Sequence, residues 1–251
     1  MKRLRMTLHR ILLTVVLSTL STASLADFAK GQEAIARRDY AVAGTEFEAA
    51  AKSGNRDAMA ALGSMFASGL GVGQDYARAF EWYLKAAEAG QVGAQGALAR
   101  MYATGTGAAK NDKQSLFWAR RAAEAGDAAS QYIMGVRSAQ GLGIKRDSGQ
   151  ALLWFGAAAE QGVVAAQYSL GFLMTQGAAS LKDEAQAKEF RRQAFKWLLI
   201  AKRGGNVEAD AGLAGLRSLL TADDIAKAET EAAVWQPPGG VASANAKREK
   251  P

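Results

Sequence analysis

The tryptophans of this chain recur at a fixed interval. Trp82, Trp118 and Trp154 are each 36 residues apart. Glycines repeat with the same period, eight residues after these tryptophans, at Gly90, Gly126 and Gly162. A repeat of about 20 to 50 residues indicates supersecondary units that stack, because one unit cannot bury its own apolar face. The period therefore predicts a solenoid, and solenoids mostly offer extended binding surfaces.

Other columns of the repeat indicate what each unit contains. Glycine recurs at Gly69, Gly105, Gly141 and Gly177, and Asp or Asn follows at Asp75, Asn111, Asp147 and Asp183. Glycine can end a helix, and an Asp or Asn side chain can accept hydrogen bonds at the start of the next one. Small residues inside the first helix, at Gly63, Ala99, Gly135 and Gly171, predict a close helix crossing. Each unit is thus helix A, a glycine-rich connection, helix B and a glycine stop.

The repeat register predicts an all-α fold, an α/α superhelical solenoid of helix-loop-helix repeats, and it divides the chain. The predicted parts are a signal peptide (1–26), an N-terminal hairpin (27–54), four repeats (55–90, 91–126, 127–162 and 163–205), capping helices (206–238) and a disordered tail (239–251). The predicted helices include 28–38, 40–53, 57–68, 76–89 and 206–219. In this fold Trp82, Trp118, Trp154 and Trp197 are interpreted as interlocking core residues, not as a ligand site.

The last repeat is longer than the others. Seven residues separate Asp147 from Trp154, whereas fourteen separate Asp183 from Trp197. Seven residues are about two helical turns, so the buried face stays nearly in phase. The spacing predicts a helix B over 184–203 that projects beyond the stack. Its first turns are expected to be solvated, with Lys182, Lys188, Arg191 and Arg192 in water.

The N-terminal segment has the form of a signal peptide. Four basic residues precede a short apolar run at 11–20, and Ser24-Leu25-Ala26 has the small–x–small form of a cleavage site. The alternative is an uncleaved anchor, but the apolar run is shorter than the ~20 residues that a spanning helix needs. We therefore expect cleavage after Ala26, no stable membrane span afterwards, and a periplasmic or secreted protein.

Composition excludes several function classes. Four of the 31 basic residues and none of the 24 acidic residues lie in 1–26, so the remainder carries a net charge of +3 and gives no reason to expect a nucleic-acid partner. The single histidine is His9, and the chain has no cysteine. A Cys/His zinc site, a Ser-His-Asp triad and a thiol nucleophile are therefore excluded after cleavage. We expect no enzyme activity, no metal and no cofactor.

Two stretches carry a family resemblance. The segments ALGSMFASGLGVGQDYARAFEWYLKAAEAG and QYIMGVRSAQGLGIKRDSGQALLWFGAAAEQG resemble Sel-one-like repeats, which are relatives of tetratricopeptide repeats with a longer internal loop. The resemblance covers roughly residues 28–235. It implies an adaptor, and for exported bacterial members it implies roles in envelope assembly, signalling or host contact. A cysteine-rich branch is linked to β-lactam binding, but this chain lacks those cysteines.

The resemblance also implies that helix A of each repeat lines a concave groove. The expected groove residues are Tyr132, Tyr168, Phe172, Arg100, Gln140 and Gln176. Exposed rings beside amide side chains suit an extended peptide or a saccharide, because rings supply contact area and amides supply hydrogen bonds. The alternative is that these rings pack against the neighbouring repeat. A further column, Gln95, Gln131 and Gln167, favours hydrogen bonding between helices.

The leading hypothesis is therefore a periplasmic, non-enzymatic scaffold that binds a protein or peptide of the envelope on its helix A face. One alternative is a regulator of exopolysaccharide or cell-envelope biogenesis, for which a polysaccharide is a candidate ligand. Another is a cell-wall-active or β-lactam-binding enzyme, which the missing histidine and cysteine disfavour.

Overall fold

The computed structural model describes residues 24–238, which form twelve helices and no strand. The helices are α1 (24–36 among the described residues), α2 (Tyr40–Lys52), α3 (Arg56–Ser68), α4 (Tyr76–Glu88), α5 (Val92–Thr104), α6 (Asp112–Glu124), α7 (Ala128–Gln140), α8 (Ser148–Glu160), α9 (Val164–Ala178), α10 (Glu184–Arg203), α11 (Ala209–Arg217) and α12 (Ala222–Val234). The predicted tail at 239–251 and the predicted signal peptide, except for its last three residues, lie outside the described residues. None of the described helices is both long and apolar enough to cross a membrane.

Two predicted helices have different ends in the structure. Helix α1 already includes residues 24–26 and stops at residue 36, because Arg38 takes a positive φ of 62°. Helix α11 begins three residues later than the predicted 206. The later start has a local cause. The Asn206 side chain accepts a hydrogen bond from Ala209 N at 3.0 Å and stabilises the turn that precedes the helix.

The described residues divide into two compact units, the first ending at Ala122 and the second beginning at Ala123. In the first unit α2 packs on α3, and their core centres on the buried side chains of Phe47, Leu62 and Met65. In the second unit α7, α8, α9 and α10 pack in sequence, with Phe155 and Leu170 in one cluster and Phe195, Leu198 and Leu216 in the next. Each helix contributes one apolar stripe, as a helical hairpin stack requires.

The predicted start and stop signals operate as expected in most repeats. Asp75 and Asp147 accept hydrogen bonds from the backbone N–H groups of Arg78 (3.0 Å) and Gln150 (2.9 Å). Gly69, Gly105 and Gly141 take φ of 72°, 74° and 76° directly after helix A. Gly177 is an exception, because it lies inside α9, which continues to Ala178. The predicted helix stop at Gly177 is therefore wrong, and a shorter connection follows the longer helix.

The column of small residues inside helix A marks close helix crossings, as predicted. A Cβ on Gly135 would lie 2.5 Å from Cδ1 of Phe155, and one on Gly63 would lie 2.8 Å from Cδ1 of Tyr83. A Cβ on Gly171 would lie 2.8 Å from Cγ of Leu198. Glycine is required here because a ring or branched side chain of helix B occupies the space above its Cα.

The repeated tryptophans contribute unequally to the core. Trp118 and Trp197 are buried, and Trp197 meets Trp235 edge to face with ring centroids 5.6 Å apart. Trp82 and Trp154 are only half-buried. The Lys85 ammonium lies 4.4 Å from the centre of the Trp82 ring. Trp82 packs beside the core cluster of the first unit, so it is structural in that position.

Helix α10 spans Glu184–Arg203, as predicted, but its first turns are not simply solvated. Arg192 is only 6% exposed, and its guanidinium donates to Glu189 on α10 and to Glu231 on α12 at 2.6 Å. Lys188 reaches Asp224 at 3.1 Å, at the start of α12. The prediction that these residues lie in water is therefore wrong for Arg192, because α12 packs beside it, whereas Lys182 and Lys188 are exposed as predicted.

Candidate binding surface on the helix A faces

The structure distributes the six predicted groove residues between the two units. Arg100, on α5, belongs to the first unit. The other five belong to the second unit and lie on its two A helices: Tyr132 and Gln140 on α7, and Tyr168, Phe172 and Gln176 on α9.

Tyr132 has a mainly structural position. Its ring lies 5.8 Å from the ring of Phe155, centroid to centroid, at an interplanar angle of 41°. It is half-buried against the cluster that contains Phe155 and Leu170. For this residue the packing interpretation describes the structure better than an open contact surface does.

Tyr168 and Phe172 form a pair on the surface of α9. They are four residues apart, hence on the same helical face, and their rings stack with centroids 6.1 Å apart at 23°. Tyr168 packs against the Phe195–Leu198 cluster on its inner side. Phe172 is 50% exposed. The pair is therefore an aromatic platform with one ring anchored in the core and the other open to solvent.

The surface around this platform is uncharged along α9. The helix reads VAAQYSLGFLMTQGA and contains no Asp, Glu, Lys or Arg. Gln176 is exposed one turn beyond Phe172, and Gln140 is exposed at the last residue of α7. Of the two predicted amides, Gln176 lies on the same helix as the exposed ring, where it can serve recognition as the sequence predicts.

Glu208 belongs to the same surface, although no sequence pattern indicates it. It immediately precedes α11, next to the buried Ala209 of the cluster on which Tyr168 packs. Burial raises the pKa of the Tyr168 hydroxyl, and the charge of Glu208 and a hydrogen bond to its carboxylate raise it further. The Glu208 carboxylate therefore acts on the hydroxyl of Tyr168. Because Glu208 follows the last repeat, no repeated column identifies it.

Arg100 has a different setting in the first unit. It is exposed, and its charge acts on the hydroxyl of Tyr83, a residue of helix α4. Burial raises the pKa of Tyr83, while a hydrogen bond with Ser64 and the charge of Arg100 act in the opposite direction. Ser64, Tyr83 and Arg100 thus form a small polar group on the A face of the first unit.

The glutamine column has the structural role that was predicted for it. The Nε2 atoms of Gln95, Gln131 and Gln167 donate to the carbonyl oxygens of Ala87, Ala123 and Ala159, each at 3.2 Å. Each of these carbonyls, in the last turn of the preceding helix B, also accepts from the N–H of the glycine that ends the helix (Gly90, Gly126 or Gly162), so each glutamine adds a second hydrogen bond. These glutamines hold consecutive helices together and are not available for a ligand.

The described residues contain no group of three or more His, Cys, Asp or Glu side chains that could hold a metal ion. The surface described above consists of rings, amides and one carboxylate. Such groups can bind an extended chain by contact area and hydrogen bonding.

Comparison with known proteins identifies the repeats. The Sel1 repeat matches residues 56–91, 92–127, 128–163, 164–190 and 191–206, and the boundary between the last two matches falls inside α10. A Sel1 repeat protein from Oxalobacter formigenes has a similar solved structure, with 30% identity and a TM-score of 0.68, over 82% of this chain and 84% of that one.

The structure of c5321, a protective antigen present in uropathogenic Escherichia coli strains that displays an SLR fold, is also similar. It has 29% identity and a TM-score of 0.57, over 77% of this chain and 49% of that one, so the present chain spans about half of that protein. No curated protein matches the chain in sequence.

The five matches and the solved structures support an all-α solenoid fold. Sel1 repeat proteins are generally non-enzymatic scaffolds for protein–protein interaction. The matches account for most of the predicted repeat region, in the register set by the tryptophans and glycines. The chain belongs to the Sel1 repeat family.

Proposed function

We propose that this protein is an exported, periplasmic scaffold that binds a protein or peptide of the cell envelope on the A face of its second unit. The proposed contact residues are the Tyr168–Phe172 platform and the exposed amides of Gln176 on α9 and Gln140 on α7. The observation that carries the proposal is the half-exposed ring of Phe172, stacked on Tyr168 in a helix without a charged residue.

An exposed ring on an uncharged helix face is well suited to a partner. Aromatic side chains dominate the binding energy of many interfaces, because they bury a large area with little loss of conformational freedom. The Phe172 ring is already oriented by stacking on Tyr168, which is itself anchored in the core. A preoriented ring loses less entropy on binding than a free one. Tyr132 packs on Phe155 in a different core cluster and is not proposed as a contact.

The second unit offers a matched control for this proposal. Leu153, on helix B of the same unit, is 66% exposed and therefore at least as accessible as Phe172. A partner that used any exposed apolar side chain would depend on both residues. A partner that binds the A face depends on Phe172 alone.

The test is photo-crosslinking in the envelope, followed by affinity measurement with the partner that is captured. A photoreactive phenylalanine at position 172 is expected to capture a defined protein, and the same residue at position 153 is not. Phe172→Ala is expected to weaken the purified complex by about tenfold or more, as for a central interface residue, while Leu153→Ala leaves affinity unchanged. Equal capture at both positions, or full affinity in Phe172→Ala, would contradict the proposal.

Export is tested separately. Mass spectrometry of the protein from the periplasmic fraction is expected to show a chain that begins at Asp27, because cleavage is predicted after Ala26. Recovery of a chain that retains residues 1–26 would contradict the periplasmic assignment without affecting the binding surface.

A further inference from the structure

Phe117 presents an exposed ring on helix α6, in the part of that helix that belongs to the first unit. Its side chain is 48% exposed, whereas the adjacent Trp118 is buried. The two rings meet edge to face, with centroids 5.0 Å apart at an interplanar angle of 79°. A buried neighbour therefore orients a ring that is open to solvent.

The Phe117 ring is surrounded by cations. On a helix the surface neighbours of a residue are those three and four positions away, and for Phe117 these are Lys113, Gln114, Arg120 and Arg121. All four are exposed. The guanidinium carbon of Arg121 lies 5.7 Å from the centre of the Phe117 ring. One face of α6 thus combines an aromatic ring with three positive charges.

These three charges are not neutralised by ion pairs among residues 24–238. The two acids of α6 lie at its ends, Asp112 and Glu124. Asp112 is already paired with Lys110 at 3.7 Å, and Glu124 lies about two helical turns beyond Phe117. The surface around the ring is therefore positively charged.

The repeat does not require this arrangement. The position of Phe117 is occupied by Glu81 one repeat earlier and by Leu153 one repeat later. The surface neighbours of Leu153 carry no charge, and they are Gly149, Gln150, Gly156 and Ala157. Phe172, the other half-exposed phenylalanine, lies on a helix without any charged residue. The cations around Phe117 are therefore specific to one helix.

A ring among exposed cations is complementary to the interface of an anionic bilayer. Aromatic side chains insert at the boundary between headgroups and acyl chains, and long basic side chains reach the phosphates while their stems lie along apolar surface. An acidic protein segment would also pair with the cations. It would leave the ring without the dry surroundings of a central interface residue, because three of its four neighbours are solvated charges.

We propose that the surface formed by Lys113, Phe117, Arg120 and Arg121 binds a bilayer that contains anionic phospholipid. The ring enters the headgroup region and the three cations contact lipid phosphates. One ring and three charges give a peripheral, reversible contact. This surface is separate from the Tyr168–Phe172 platform and does not depend on the proposed function.

The first test is co-sedimentation of the purified full chain with sucrose-loaded vesicles. One kind of vesicle contains phosphatidylcholine alone, and the other contains equal parts of phosphatidylcholine and phosphatidylglycerol. We expect the anionic vesicles to be bound about ten- to a hundredfold more tightly, because each cation near an anionic surface contributes about fivefold. The preference is expected to weaken in high salt.

Two triple variants of equal net charge assign the preference to this face of α6. The first replaces the three cations around Phe117 by glutamine, and its preference is expected to fall below about threefold. The second is the matched control, which replaces three exposed cations of the second unit by glutamine, namely Lys145, Arg146 and Lys182. It should keep most of the preference. Circular dichroism checks that both variants retain their helical content.

A single fluorophore tests whether position 117 enters the bilayer. The chain has no cysteine, so Phe117→Cys and Leu153→Cys can each carry one environment-sensitive nitrobenzoxadiazole label. Leu153 is the matched control, because it occupies the equivalent position one repeat later and is 66% exposed. Anionic vesicles are expected to shift the emission to the blue at position 117 and not at position 153.

Several results would overturn the proposal. They are equal binding to the two kinds of vesicle, equal loss of preference in the two triple variants, and a label at position 117 that does not respond or responds no more than the label at 153. Cation-dependent binding of soluble poly-glutamate without vesicle binding would identify an acidic protein segment as the occupant instead. None of these results affects the surface on α9, which Phe172→Ala tests.

Discussion

Arg192 and Glu231 are 39 residues apart in sequence, yet the guanidinium of the first donates to the carboxylate of the second at 2.6 Å. The bond joins the extended part of α10 to the terminal helix α12. Glu189 completes the arrangement by accepting from the same guanidinium. An arginine that is 6% exposed is tolerated because two carboxylates pair with it.

Arg192→Gln is expected to lower the free energy of unfolding by about 1.5 to 3 kcal/mol, since it removes hydrogen bonds to charged partners from a buried position. The cost stays below that of a fully buried pair because Glu189 and Glu231 can be hydrated after the change. Chemical denaturation monitored by circular dichroism measures it. Arg191→Gln is the control, since among residues 24–238 Arg191 pairs with the exposed Glu184 alone, and the change should cost less than about 1 kcal/mol. Equal costs for the two variants would show that the Arg192 pairing contributes nothing special.

Acid should destabilise the protein partly through Glu189. Hydrogen bonds from Arg192 and then from Gln193 lower the pKa of this carboxyl. A group whose pKa is lowered in the folded state contributes stability above its unfolded pKa, about 4.3, and loses it as the pH falls through the folded value. The melting temperature of the wild type is therefore expected to fall more steeply below about pH 4.3 than that of Glu189→Gln. Parallel curves for the two proteins would contradict this assignment.

Two glycine substitutions in the second unit should have opposite signs. Gly135→Ala is expected to cost about 1 to 3 kcal/mol, because the new Cβ would overlap the ring of Phe155. A Cβ added to Gly156, inside α8, would meet no atom within 4 Å, so Gly156→Ala should stabilise by about 0.5 to 1 kcal/mol through helix propensity. Thermal unfolding of the two variants measures both effects.

The Gly135 effect can be assigned to the ring by a double-mutant cycle. Phe155→Ala alone is expected to cost about 3 to 5 kcal/mol as a core truncation. In that background Gly135→Ala should cost at least about 0.5 kcal/mol less than it does in the wild type. At the equivalent positions of the preceding repeat, 36 residues earlier, the chain has the small pair Ala99 and Ala119, and both are buried. If the costs of the two single variants simply add in the double variant, the cost of Gly135→Ala does not come from contact with the Phe155 ring.

The glutamine column should tolerate substitution unequally. Gln131 uses both ends of its amide, because its Oε1 also accepts from Gln161 Nε2 at 2.7 Å. Gln95 Oε1 is buried and has no hydrogen-bond partner within the described part of the chain. Gln131→Met is therefore expected to cost about 1 to 3 kcal/mol. Gln95→Met is expected to cost less, since it removes one unsatisfied acceptor and the Ala87 carbonyl keeps its hydrogen bond from Gly90 N. Denaturant midpoints that rank the two variants in reverse would contradict this account.

Much of the fold could be predicted because the repeat supplies several copies of each signal. The bounds of α10, 184–203, follow from two spacings between an N-cap aspartate and a tryptophan, with no knowledge of contacts. The start of α12 is likewise marked in the local sequence, where Thr221 and Asp224 form the reciprocal hydrogen bonds of a capping box. Both results depend on local sequence, where helix ends are encoded.

The errors in the predicted fold have a common cause in contacts that local sequence does not encode. The sequence assigns Arg192 to solvent because charged residues usually lie there, and its partner Glu231 lies in a helix outside the repeat. Analogy with Gly141 assigns Gly177 to a helix stop, but α9 continues for one more residue. A repeated sequence position predicts the structure that all repeats share. It does not predict where a single repeat has a different structure.

The candidate site was predictable only in part. The position of Phe172 on the surface of helix A follows from the repeat register, and the structure places it there at 50% exposure. Tyr132 shares the helix A face in sequence, but only the location of Phe155 shows that it packs inward. Glu208 could not be found from the repeat at all, because it precedes a capping helix and reaches Tyr168 from another part of the chain.

The contact between α10 and α12 limits how this gene could change its number of repeats. Duplication of a 36-residue unit before Gly162 would place the new copy between neighbours that already have the matching glycine and glutamine columns. The same duplication after Gly205 would carry Glu231 away from Arg192 and leave the buried guanidinium with Glu189 alone. Copy number can therefore vary among the regular repeats, whereas the last long helix and its terminal helix must be inherited as one block.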